Sequence, residues 1–138
     1  MHEYTVGLTI SGDKVDEAEI SKLLGMKSSV SFKKGELLAP RSKRRRSTST
    51  WSFNFDPPVG KPVWPSLEDG LRFMIERLVP KKDVLLELGK RYSMDAYCGH
   101  FGSGFGGGPS ITPETLGVLS QWGLTLTIKT YWGSTEPE

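Results

Sequence analysis

Four stretches of the chain alternate apolar and polar residues, which is the period of two expected of strands with one buried face. The apolar positions of the first stretch are Tyr4, Val6, Leu8 and Ile10. The other three stretches cover residues 51–55, 92–101 and 124–132. Val30 and Phe32 favour a further brief extended segment before the second strand. The pattern therefore predicts four strands.

Helical signals lie between the predicted strands. Asp16 matches an N-cap and Gly25 a terminating glycine, so a short helix is predicted between them. Ser66 precedes a second set of apolar residues at helical spacing, in which Pro80 indicates either two consecutive helices or one kinked helix. Thr112, which is followed by a proline, predicts the start of the last helix. Strands and helices are thus interleaved along the chain.

The alternating strands predict a sheet that is covered on one face and partly wet on the other. We expect a single α+β domain over residues 1–138, a two-layer sandwich with a four-stranded, mainly antiparallel sheet and three to four helices. The predicted buried face of the sheet carries Leu8, Ile10, Phe53 and Leu126. The predicted contacts from the helices are Leu23, Leu71 and Leu116. Residues 133–138 are polar and are expected to fray.

The charge of the chain is concentrated in one segment. Residues 33–46 carry seven basic side chains and one acidic one, a charge of +6, whereas the rest of the chain has 11 basic and 15 acidic residues. We call residues 33–50 the basic arm. Because this segment has few apolar residues to pack and its charges repel one another, we expect it to be mobile in the absence of a partner.

The basic arm is the candidate binding site. Its candidate partner-binding residues are Lys33, Lys34, Arg41, Lys43, Arg44, Arg45 and Arg46. Such cations favour association with an acidic protein surface or with the phosphates of a nucleic acid. For a nucleic acid, Trp51 and Phe53 would supply base stacking, although their alternation assigns both to the core. A charge run is also often only a solvated loop.

Other chemistry is weakly indicated. Cys98 is the only cysteine and there are two histidines, so no cofactor and no metal site are predicted. Cys98 and His100 fall on the same face of a predicted strand and could pair as thiolate and base, but a half-buried thiol is the better interpretation. The glycine-rich residues 102–108 formally match a dinucleotide-binding motif, yet the following helix starts too late, which favours a flexible connection.

No uninterrupted apolar run exceeds three residues. The sequence therefore predicts neither a membrane span nor the apolar region of a signal peptide, and we expect a cytoplasmic protein without membrane contacts.

The order of several short motifs along the chain points to a family. These motifs are Ile10-Ser11-Gly12-Asp13, Leu23-Leu24-Gly25, Lys33-Lys34-Gly35-Glu36, Ser49-Thr50-Trp51-Ser52 and Ile111-Thr112-Pro113-Glu114-Thr115-Leu116. Together they resemble an uncharacterised bacterial family, the domain of unknown function 4279. The resemblance implies a small intracellular bacterial protein, suggests an association with toxin immunity, and carries over no catalytic residue.

The expected function is that of a non-enzymatic cytosolic protein-interaction module. Its most concrete form is an immunity-type protein that neutralises a bacterial toxin by direct binding through the basic arm. The first alternative is a nucleic-acid-binding protein that uses the same arm, and the second is an enzyme with an unrecognised site. The sequence does not indicate an oligomeric state.

Overall fold

The computed structural model describes residues 2–104 and 106–132. Within these residues, five strands form one sheet in the order β2-β3-β1-β4-β5. The strands are β1 (His2–Gly12), β2 (Val30–Phe32), β3 (Ser49–Asn54), β4 (Ser93–Gly102) and β5 (Thr125–Trp132). The sheet is mixed, because β1 pairs antiparallel with β3 and β4 whereas β4 and β5 are parallel.

The predicted α+β class is confirmed and three of the four strand pairings are antiparallel, but the predicted number of strands is wrong. The brief segment Val30–Phe32 pairs with β3, so the sheet has a fifth strand. The direction of β5 was also not anticipated. The helix between β4 and β5 makes a crossover connection, which is the kind of link that parallel strands need. Alternation along a strand carries no information about its direction. The predicted fraying of residues 133–138 lies outside the described residues.

Three of the four helices begin where their capping residues were predicted. The helices are α1 (Glu17–Leu24), α2 (Leu67–Leu78), α3 (Lys82–Arg91) and α4 (Pro113–Gln121). The side chains of Asp16, Ser66 and Thr112 each accept a hydrogen bond from a backbone N–H in the first turn, and α3 has no side-chain cap. A 3₁₀ turn, Val79–Lys81, separates α2 from α3, which matches the two-helix alternative. In the part of the chain that the structure describes, no helix is long and apolar enough to cross a membrane.

The helices pack on one face of the sheet, and the buried apolar residues form one cluster. Leu8, Ile10 and Leu71 are fully buried, and Phe53 and Leu126 are partly buried against the cluster, as predicted. The predictions for Leu23 and Leu116 are wrong, because these side chains are 39% and 44% exposed. In α1 the buried pair is instead Ile20 and Leu24, and in α4 it is Thr115 and Leu119, each four residues apart.

The opposite face of the sheet, here called the open face, is polar and partly solvated. Thr9 and Ser52 lie there side by side, with their hydroxyl oxygens 3.1 Å apart. Tyr97, Phe101 and Tyr131 share this face on β4 and β5 and remain 40%, 41% and 49% exposed. The predicted wet face is thus present, and its exposed aromatic residues are confined to one side of the sheet.

Gly70 allows α2 to approach the central strand closely. A Cβ atom at position 70 would lie 2.6 Å from Cγ2 of Val6 and 3.0 Å from the Trp64 ring. Gly70 is itself buried, and Leu71, Met74 and Leu78 of the same helix are fully buried in the core. The absence of a side chain at position 70 therefore determines how closely the helix layer packs against β1.

We predict that Gly70→Ala destabilises the protein, although alanine is the better helix former by about 1 kcal/mol. The added methyl group would displace Val6 or Trp64, at a cost of roughly 1–3 kcal/mol in the free energy of unfolding. Gly117→Ala in α4 is the matched control, because its added methyl meets no atom within 4 Å. Thermal melting should show a lower Tm for the first variant and an equal or higher Tm for the second. A Tm for Gly70→Ala at or above that of the parent would contradict this packing.

Glu68 links the first turns of α2 and α4. Its carboxylate accepts hydrogen bonds from the Thr115 hydroxyl at 2.7 Å and from the backbone N–H and hydroxyl of Thr112 at 3.0 Å each. Nε of Arg72 lies 3.2 Å away. Burial alone would raise the pKa of Glu68, but these hydrogen bonds and the charge of Arg72 outweigh it and hold the pKa below its ordinary value.

Because its folded-state pKa is lowered, ionised Glu68 stabilises the fold at neutral pH, and this stabilisation is lost as the pH falls through that pKa. We expect Glu68→Gln to lower the free energy of unfolding at pH 7 by about 1–3 kcal/mol. Urea unfolding over a pH series should show the difference shrinking below about pH 4.3, the usual pKa of a glutamate. Glu87→Gln, whose only described partner is the exposed Lys90, should change little at any pH. A pH-independent difference for Glu68→Gln would contradict the assignment.

Candidate functional site

The basic arm continues the hairpin formed by β2 and β3. The backbone N–H of Leu38 donates to the carbonyl of Arg44 at 3.0 Å, and the N–H of Arg46 donates to the carbonyl of Glu36 at 2.7 Å. At the tip, the N–H of Ser42 donates to the carbonyl of Ala39 across a turn that contains Pro40. The arm therefore has a defined hydrogen-bonded course beyond the edge of the sheet. Its mobility in the absence of a partner stays a prediction.

Three of the seven predicted binding residues make contacts with the protein itself. Cζ of Arg46 lies 3.4 Å from the centre of the Phe32 ring, and its Nε is buried with no hydrogen-bond partner among the described residues. A guanidinium N–H of Arg45 donates to the carbonyl of Gly35 at 2.8 Å. Nζ of Lys34 lies 3.3 Å from a carboxylate oxygen of Asp13. These contacts hold the base of the arm against the hairpin and the start of α1.

The other four predicted residues are exposed. They are Lys33, Arg41, Lys43 and Arg44. Among the described residues, no carboxylate lies within salt-bridge distance of any of them, and their side chains make no hydrogen bond. The structure thus brings the seven cations onto one hairpin, where only Lys34 has a described counter-charge and these four side chains make no described contact.

A groove of about 570 Å³ runs between the basic arm and the beginning of α1. Lys33 and Lys34 line it from the arm, and Asp13, Asp16 and Glu17 line it from the segment that leads into α1. The carboxylate of Glu17 also accepts hydrogen bonds from the hydroxyls of two partly buried serines, which hold it in place on that side of the groove. The groove therefore presents both signs of charge to anything that binds there.

The aromatic residues near the basic arm do not present free ring faces. Trp51 is fully buried, and its Nε1–H donates to the Ser21 hydroxyl at 3.0 Å. Phe53 packs against the core, and Arg46 covers Phe32. In the part of the chain that the structure describes, the exposed aromatic residues lie on β4 and β5. These strands are three and four places from β2 in the sheet, or roughly 14–19 Å at ordinary strand spacing. The burial of Trp51 and Phe53 agrees with their assignment to the core, so neither ring is free to stack on a base.

Cys98 and His100 do not form a thiolate and base pair. Cys98 is fully buried, and burial, with a smaller contribution from Asp95, raises the pKa of its thiol to about 12. A thiol in this setting stays protonated at neutral pH and is a poor nucleophile. The preferred interpretation, a half-buried thiol that does not react, underestimated the burial, since Cys98 is fully buried.

His100 is instead paired with His2, which the sequence did not single out. Nε2 of His100 lies 2.8 Å from Nδ1 of His2, and Nε2 of His2 lies 2.9 Å from the carbonyl oxygen of Gly106. Since a carbonyl only accepts, His2 donates to it, and a neutral His2 then accepts the N–H of His100. Burial and the neighbouring His2 hold the pKa of His100 below its ordinary value.

The glycine-rich turn packs against this histidine pair. A Cβ atom at Gly107 would lie 2.3 Å from Nε2 of His2, and one at Gly102 would lie 2.5 Å from Nδ1. Gly104, Gly106, Gly107 and Gly108 all have positive φ angles, as the flexible-connection interpretation anticipated. Because α4 begins only at Pro113, the turn does not open a helix in the way that pyrophosphate binding requires. In the described residues, no group of three or more His, Cys, Asp or Glu side chains could hold a metal ion.

Comparison with known proteins gives one result. A family model described as a domain of unknown function (DUF4279) matches residues 2–133, nearly the whole chain. No curated protein and no solved structure matches.

Proposed function

The chain belongs to the DUF4279 family of domains of unknown function, and because that description assigns no activity, we propose a function from the site itself. We propose a non-enzymatic, cytosolic protein-interaction module whose basic arm binds an acidic surface of a partner protein. The observation that carries the proposal is the set of four exposed cations on one hairpin, Lys33, Arg41, Lys43 and Arg44, whose side chains make no described hydrogen bond or salt bridge. Cations in such a protruding segment attract acidic surfaces and accelerate association.

The mixed charge of the groove favours a protein partner over a nucleic acid. Asp13, Asp16 and Glu17 line the side opposite Lys33 and Lys34, so a phosphate backbone in the groove would meet carboxylates as well as ammonium groups. A protein surface can present both signs of charge in a complementary order, whereas a nucleic-acid backbone presents only one. The groove therefore supports the protein-binding form of the proposal.

Nucleic-acid binding remains the second candidate because the same cations could contact phosphates. The arrangement of aromatic residues weighs against it. Single-stranded nucleic acids bind where ring faces stack on bases beside a basic path, and the rings next to the basic arm are buried or covered. Binding through phosphates alone would depend steeply on salt and would show little sequence preference.

The most concrete form of the proposal is an immunity-type protein that neutralises a bacterial toxin by direct binding. Its support is the chemistry of the arm, which suits a partner with an acidic surface, together with the toxin-immunity association suggested by the family resemblance. If a gene next to this one encodes such a toxin, co-expression of the two proteins should restore growth. Loss of the exposed arm cations should weaken that rescue.

The proposal is tested with a variant that removes only exposed cations, Arg41→Gln, Lys43→Gln and Arg44→Gln combined. Tagged parent protein should capture a protein partner from its native cells, and nuclease treatment should not release that partner. At low salt, the association rate of the purified pair should fall about tenfold in the variant. The dissociation rate should change little, because exposed charges act mainly on encounter.

The matched control is the triple variant Lys27→Gln, Lys61→Gln and Lys82→Gln, which removes the same charge from exposed positions outside the basic arm. It should retain the parent's association rate to within about twofold. If both triple variants lowered the association rate equally, the effect would be one of net charge, and a specific role for the arm would be contradicted. Release of the captured material by nuclease would support the nucleic-acid alternative. Turnover of a small metabolite that survives loss of the arm would support an enzyme.

A further inference from the structure

The outer edge of β5 has no pairing partner in the described part of the chain. β5 is the last strand in the sheet order, and its ladder hydrogen bonds go only to β4. Among residues 2–104 and 106–132, no loop donates a backbone hydrogen bond to β5 or accepts one from it. Eight residues, Thr125–Trp132, therefore present alternating unpaired N–H and C=O groups along one side.

The two edges of the sheet differ in how they are protected against pairing. β2, at the opposite edge, is only three residues long and leads directly into the basic arm, so it offers little backbone to another strand. β5 is much longer, contains no proline, and carries a single charge, that of Lys129. Long edges with few charges and no proline are poorly protected against pairing with strands of other chains, and natural monomers usually avoid them.

Among the described residues, the exposed aromatic side chains are concentrated on β5 and its neighbour β4. Tyr131 and Trp132 are 49% and 57% exposed, and the Tyr131 ring stacks on that of Phe101 with their centres 5.1 Å apart. Large apolar side chains gathered next to an open strand edge are typical of an association surface.

We propose that β5 pairs antiparallel with β5 of a second copy of this chain, about a twofold axis through Ile128, so that the two sheets become one. In an antiparallel pair, two directly opposite residues lie on the same face of the sheet. A twofold axis between two consecutive residues would place residues from different faces opposite each other, so the axis must pass through a residue. The opposing pairs would be Ile128 with itself, Thr127 with Lys129, Leu126 with Thr130, and Thr125 with Tyr131.

Charge complementarity argues for a second copy in this register. Lys129 would face Thr127 of the second copy, whose hydroxyl donates to the Asp95 carboxylate of its own chain at 2.8 Å. The ammonium group of Lys129 would therefore come within reach of Asp95 of the second copy, and the twofold axis would generate the same contact a second time. Each chain would thus supply both members of the ion pair.

Other registers fit less well. An axis through Lys129 would place two ammonium groups directly opposite each other, which is unfavourable. An axis through Thr130 or Thr127 would pair only five residues of each strand, 128–132 or 125–129. The axis through Ile128 pairs residues 125–131, nearly the full length of β5, and keeps opposite charges close.

A charge-exchange experiment tests the pairing. Sedimentation of the parent protein over a concentration series should show a dimer. Lys129→Asp and Asp95→Lys should each raise the dimer dissociation constant at least about tenfold, because each places like charges together at both contacts. A one-to-one mixture of the two variants should dimerise like the parent, because each mixed pair restores both attractions. Far-UV circular dichroism and thermal melting would verify that each variant is folded.

Disulfide trapping tests the register. Under oxidising conditions Ile128→Cys should form a covalent dimer, because position 128 would face itself across the axis. Leu126→Cys should not, because it would face Thr130. The native Cys98 is fully buried and should not react in either variant. A parent protein that is monomeric up to about 1 mM would overturn the proposal. The proposal would also be overturned if the charge changes left the dimer dissociation constant unchanged, or if the mixture of the two variants stayed monomeric. Faster disulfide formation at position 126 than at position 128 would overturn it as well.

Discussion

The antiparallel pairing of β1 with β3 on one side and β4 on the other is the interaction on which the rest of the structure depends. β1 is the central strand, and its residues Tyr4, Val6, Leu8 and Ile10 all face the helix layer and are almost fully buried. Gly70 brings α2 directly onto this strand, and Glu68 joins α2 to the start of α4. With β1 held in this way, the hairpin that carries the basic arm lies on one side of the sheet and β5 on the other.

This arrangement separates two kinds of surface. On the β2 side the exposed chemistry is cationic and belongs to a hairpin extension, which is secured by a few backbone hydrogen bonds and by the contact of Arg46 with Phe32. On the β5 side it is aromatic and belongs to a regular strand. A segment with few buried apolar contacts opens easily, whereas a strand paired along its full length with β4 does not. We therefore propose that the basic arm becomes fully ordered on a partner and that the β5 edge is preformed.

Much of this fold could be predicted from the sequence, because its signals are local. The caps Asp16, Ser66 and Thr112 act within one helical turn, and alternation identified the faces of the long strands. The wrong predictions for Leu23 and Leu116 concern which face of a short helix is buried, and the other features that were missed depend on contacts distant in sequence. The register of β1 and β4 brings His2 to His100, and the crossover through α4 makes β5 parallel. In the candidate site, the cluster of cations was evident from composition. The sequence did not show which of these cations contact the protein itself, because Arg46 reaches Phe32 only once the hairpin has formed.

The most direct test of this account is native-state hydrogen exchange of the isolated protein, residue by residue, in increasing denaturant. The account predicts that the N–H groups of β1 that bond to β3 and β4 exchange only through global unfolding, with the full dependence on denaturant. The N–H groups of Leu38 and Arg46 in the basic arm should exchange through local opening with almost no such dependence, despite their hydrogen bonds. Exchange of the Leu38 and Arg46 N–H groups as slow and as denaturant-dependent as that of β1 would contradict it.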